Sequence, residues 1–135
     1  IERQLAEKRA DIAALQPGAD FAQRVRDLVA KWRGGDVRTM NPTLFLEMSA
    51  LASRDPQIAS ALRESDRVTR SDFAIWLVQR AASGGVQMSA TDAETRAFAL
   101  QCLIEGLAVR IVREPDLSEH MLADMLAMNL PVLIR

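Results

Sequence analysis

The stretch from Phe98 to Pro115, FALQCLIEGLAVRIVREP, constrains the fold of this chain more than any other. It holds four charged residues, Glu105, Arg110, Arg113 and Glu114, and its first part, Phe98 to Val112, is apolar on nearly every face of a helix. A surface helix keeps a polar side. A helix that is apolar all round needs cover on all sides, from its own bundle and from a second subunit. A membrane span needs about 20 consecutive apolar residues, whereas this run is shorter and carries Glu105 and Arg110 within it. It therefore reads as the central helix of a bundle and a candidate dimer seam, with no membrane partner.

The rest of the chain is punctuated for helices. Aromatic residues make up only 4% of the 135 residues, which favours helix over sheet. Ile1, Leu5, Ile12 and Leu15 mark an apolar stripe that is already running when the chain opens, with no capping residue before it. A fragment of a longer protein is expected on that ground. Gln16-Pro17-Gly18 stops this first helix, and Asp20 caps a second that carries Phe21, Val25, Leu28 and Trp32 up to Gly34-Gly35. Asn41-Pro42 and Asp55-Pro56 each pair a cap with proline at the first helical position, opening a third and a fourth helix. The fourth is expected to reach Ser83, in one or two pieces, before Gly84-Gly85. Thr91 or Asp92 is expected to cap a fifth, and Ser118 or Asp116 a sixth that Pro131 kinks or ends. The fold class predicted is all-α, a bundle of about six helices.

The side-chain inventory excludes several chemistries. Seventeen basic residues against eighteen acidic ones leave a net charge of −1, whereas a domain that grips DNA by itself carries a basic excess. With one histidine and one cysteine there is no cluster of zinc ligands, and no phosphate-binding glycine motif is present. No metal or cofactor is expected. A catalytic reading pairs His120 with Asp124 and takes Ser118 as nucleophile, but Ser118 is better explained as a helix cap and nothing resembles an oxyanion hole. No catalytic residue is assigned, and an enzyme is not expected. Arg63, Arg67 and Arg70 share a helix face but alternate with Glu64, Asp66 and Asp72, which reads as a solvated face. Met121, Met125 and Met128 form a stripe suited equally to core and interface. Glu47, on the apolar helix LFLEMSAL, is either a polar handle in a pocket or a surface carboxylate. A single cysteine forms no internal disulfide, and without a signal peptide a cytoplasmic protein is expected.

The run LFLEMSALASRDPQIASAL from Leu44, the arginine-rich helix after it, Gly84-Gly85, and then ALQCLIEGLAVRIV together resemble the C-terminal domain of TetR-family transcriptional repressors of the betaine-regulator-like type. The Ser53-Arg54-Asp55-Pro56 turn and the Glu105-Gly106-Leu107 to Arg110 segment carry the likeness, which covers roughly Asp20 to the end. The resemblance implies a linker helix over 1–16 and an effector-binding and dimerisation domain over 17–135. It implies a homodimer through helices 92–113 and 118–134, with Leu103, Gly106, Leu107, Arg110, Leu122, Met125 and Leu126 at the seam. It also implies a pocket for an apolar or amphiphilic effector among the earlier helices, where Trp32, Phe45, Met48, Phe73, Trp76 and Phe98 are the candidate walls and Glu47 the candidate anchor. DNA is then a partner only through an N-terminal helix-turn-helix that these residues do not include. The alternative is a helical homodimeric interaction module without a cavity.

Overall fold

The computed structural model describes residues 2–35 and 41–134, apart from the side chains of Glu2, Gln4 and Ala13. Six helices and no strand occur among them: α1 (Glu2–Ala13), α2 (Phe21–Arg33), α3 (Pro42–Ala52), α4 (Pro56–Ser83), α5 (Ala90–Arg113) and α6 (Glu119–Leu133). Ile1, expected at the head of the first apolar stripe, lies outside the described residues.

Each start has a local cause. Asp20 accepts from the Gln23 amide at 3.1 Å, Asn41 from Leu44 at 2.9 Å and Asp55 from Gln57 at 2.9 Å, so each satisfies an amide that the helix itself leaves open. Ser118 caps α6 through the Met121 amide at 3.2 Å. α5 differs from expectation. Its cap is Ser89, which accepts from Asp92 at 3.0 Å, so Thr91 and Asp92 lie inside the first turn. α4 is a single helix of 28 residues. Gly35 and Gly85 close α2 and α4 at φ 71° and 78°, the left-handed region that a side chain disfavours.

α6 runs through Pro131 to Leu133. A proline in the last turn disturbs few helical bonds, and the carbonyls at this end have other donors. Arg96 donates to Val132 O at 2.7 Å and Leu133 O at 3.2 Å, and Arg80 donates to Ile134 O at 3.2 Å. The same Arg80 guanidinium reaches Pro17 O at 3.2 Å and Ala19 O at 3.0 Å, in the turn between α1 and α2.

α4 and α5 form the central pair, and the buried Ala93 and Ala97 let their backbones approach. α3 packs on both, α1 lies on α4, and α2 bridges α5 and α6. One core joins Phe21, Val25 and Val29 of α2, Phe73, Trp76 and Leu77 of α4, Leu100, Leu107 and Ile111 of α5, and Leu122, Leu126 and Leu130 of α6. Several residues expected at the seam belong to this core. Leu107, Leu122 and Leu126 are only 6%, 3% and 1% exposed, because they fill the interior of their own subunit. Leu103 and Met125 are half-buried against the same core, whereas Gly106 and Arg110 are exposed. The apolar groups left uncovered on α5 are Phe98 and Val112, and on α6 Met121, Met128 and Val132, the last three 62%, 77% and 54% exposed.

Candidate functional site

A cavity of about 420 Å³ opens between α1, α2, α3, α4 and α5. That volume falls within the range of small-molecule sites, roughly 300–1,000 Å³. Helical periodicity supplies the walls. Phe21, Val25, Leu28 and Trp32 repeat every three or four residues along α2, Phe45 faces them from α3, and Phe73 from α4. Ile12 and Leu15 close the α1 side, and Ile104 and Ala108 the α5 side. Charged residues stand around it: Glu7, Lys8 and Asp11 from α1, and Arg24, Asp27 and Lys31 from α2.

Besides the capping Asn41, three polar groups interrupt the apolar lining. Thr69 is 1% exposed, and its hydroxyl has no hydrogen-bond partner among the described residues. Such a buried orphan costs about 1–3 kcal/mol. Gln101 is buried and engaged at both ends of its amide, accepting from Arg70 Nε at 2.7 Å and donating to Asp66 O at 2.9 Å. Glu105 is half-buried. Burial first, and then the neighbouring Asp66 carboxylate, raise its pKa above the ordinary value, against the opposing charges of Lys8 and Arg70. Burial likewise raises Asp66, again opposed by Lys8 and Arg70.

The candidate walls divide into two groups. Trp32, Phe45 and Phe73 line the cavity; Met48, Trp76, Phe98 and Glu47 stand outside it. Met48 is fully buried in α3. Trp76 points its indole N–H at Gln16 O, 2.7 Å away, and its ring lies beside the Arg80 guanidinium at 5.5 Å. It therefore holds the α1–α2 turn. Phe98 is exposed beneath Arg70, whose guanidinium carbon is 4.9 Å from the ring centre. Glu47 is exposed, because its position on α3 faces away from α4 and α5. Sequence reasoning passed over Thr69, Gln101 and Glu105 as lining. A helical wheel of α5 carries the signal: Gln101 and Glu105 fall on the side of Ala97 and Ala108, which are buried.

A second, larger concavity runs along α4 and the start of α5, where Arg63, Glu64, Arg67, Ile75 and Glu94 are exposed and of mixed sign. Arg67 is paired with Glu64 at 2.7 Å. This is a solvated face rather than an enclosed site. His120 and Asp124 meet at 3.3 Å on the surface, and Ser118 is occupied as a cap. Among the described residues no group of three or more His, Cys, Asp or Glu side chains gathers to hold a metal ion, and no helix is long and apolar enough to cross a membrane.

The family model described as BetI-type transcriptional repressor, C-terminal, matches residues 21–131. No curated protein and no solved structure matches the chain significantly.

Proposed function

The chain belongs to the family of BetI-type transcriptional repressor C-terminal domains, and on that premise we propose that it is the effector-binding and dimerisation domain of a one-component repressor. The observation that carries this reading is the aromatic cavity whose walls include α1. α1 precedes the span that the family model matches, and it takes the place of the linker to a DNA reader. An occupant of the cavity touches both the domain and the linker. It shifts the spacing of two readers only in so far as it binds one arrangement of α1 better than the other.

Dimerisation is proposed through the uncovered face of α5 and α6. A compact chain of this mass exposes about 7,000 Å², whereas this one exposes 8146 Å². The difference is of the order of one partner's share of a standard interface, about 800 Å². Gly106 lies on this face, with open space where a Cβ would be. A mid-helix glycine destabilises by roughly 0.5–1 kcal/mol relative to alanine, and no contact among the described residues explains it. Close approach of a second α5 does.

Trp32 reports on the cavity and Trp76 does not. An amphiphilic compound that enters will quench the Trp32 emission and raise the melting temperature by mass action. Trp32→Phe will remove the quench while leaving Trp76 emission intact. A quench that survives this substitution defeats the cavity as the effector site. The proposal also requires that residues 1–135 alone have no sequence-specific affinity for DNA, given their net charge of −1. Specific binding in an anisotropy titration at physiological salt overturns that division of labour.

A further inference from the structure

We propose that the cavity takes a protonated amine with an apolar body, whose ammonium group replaces Lys8 opposite Glu105 and so loosens α1. The inference rests on the cavity being the effector site and names the chemistry that site selects.

The cavity wall presents Glu105 among apolar side chains, with the Asp66 carboxylate close enough to act on it. Two like charges in half-buried positions repel one another and lack solvation. Two cations answer them, Lys8 from α1 and Arg70 from α4. Arg70 is committed elsewhere, to the Gln101 carbonyl oxygen and the face of Phe98. Lys8 is therefore the exchangeable charge, and it sits on the wall of the cavity itself. The remaining charged groups around the cavity, Glu7, Asp11, Arg24, Asp27 and Lys31, nearly cancel. Their residual sign is negative.

An incoming ammonium exchanged for Lys8 leaves the charge opposite Glu105 unchanged, while its apolar body covers Trp32, Phe45 and Phe73. A carboxylate would bring a third negative charge to the same wall. A primary ammonium also donates N–H bonds to the Glu105 carboxylate, which a quaternary one cannot do. α1 loses the attraction of Lys8 for the carboxylates of α4 and α5 when Lys8 is displaced, so occupancy of the cavity becomes motion of the linker helix.

Titration calorimetry of the whole chain with four probes sharing one apolar body tests this: phenylbutylamine, trimethyl(phenylbutyl)ammonium, phenylbutanol and phenylbutyrate. The amine is expected to bind at least about tenfold more tightly than the other three, a gap typical of a charge-assisted hydrogen bond in a part-buried site. Glu105→Gln removes the preference for the amine but leaves phenylbutanol affinity in place. Lys8→Ala tightens the amine several-fold, because the competitor is gone. Amide hydrogen exchange across α1 speeds up when the amine binds.

Glu105→Gln also has a readout without ligand. A carboxyl whose folded pKa is raised contributes stability below its unfolded value and loses that contribution as pH rises through the folded pKa. The Gln variant therefore melts at a higher temperature than the parent at neutral pH, and the gap closes as pH falls toward 4.5. Equal affinity for amine and alcohol, an unchanged preference in Glu105→Gln, or amine binding without faster exchange in α1 each sinks this inference and leaves the cavity reading standing. If none of the four probes binds, the cavity reading fails with it.

Discussion

Arg80→Met will lower the stability of the domain by about 3 kcal/mol, since three hydrogen bonds are lost and each is worth about 1 kcal/mol net. The value for an ordinary bond applies because the guanidinium is only part-buried. For a domain of this size that loss lowers the melting temperature by roughly 10 °C. Methionine keeps an apolar stem over Trp76, so the loss reports on the bonds to Pro17, Ala19 and Ile134 rather than on packing. Arg80→Lys restores the charge without the planar fork, and less than half of the loss should return. Urea unfolding measures both. A change below about 1 kcal/mol in Arg80→Met would show that water replaces the guanidinium at all three carbonyls.

Gly106→Arg will convert a dimer at micromolar concentration into a monomer, with helix content by circular dichroism unchanged. Within one subunit the substitution meets open space and replaces the poorest helix former but proline with a good one. Across a close crossing of two α5 helices, it overpacks the contact and sets two like charges together. The two environments give opposite signs, so the measurement separates them. Sedimentation equilibrium on the parent and the variant decides it. A variant that stays dimeric places the seam elsewhere, and a monomeric parent removes the dimer altogether.

Helix identity was written in local chemistry and was legible for that reason. Asp20, Asn41-Pro42, Asp55-Pro56, Ser118 and the two Gly-Gly pairs act within four residues of where they stand. The cap of α5 was misplaced because Ser89, Thr91 and Asp92 are all good caps. Thr91 with Glu94 three residues on even matches a capping box, yet Ser89 takes the role. Facing was harder. Glu47 and Glu105 both interrupt apolar helices, and composition does not separate them; only the tertiary placement of α3 and α5 exposes one and half-buries the other. Leu107, Leu122 and Leu126, expected at the seam, lie in the core of their own subunit for a related reason. An apolar helix has two covered sides, its own core and its partner, and bulk alone does not say which leucine faces which. Trp32, Phe45 and Phe73 reach the cavity, whereas Trp76, equally large and apolar, turns its N–H to the α1–α2 turn.

The guanidinium of Arg80 also bears on how this chain folds in time. It joins Pro17 and Ala19 to Ile134, positions separated by most of the sequence. Contacts that close so long a loop lose chain entropy before they return any energy, so they form after the local pairing of α4 with α5. The three bonds are then absent from the transition state. Breaking them leaves the refolding rate nearly unchanged and accelerates unfolding. Arg80 thus sets the lifetime of the folded state far more than the speed of reaching it.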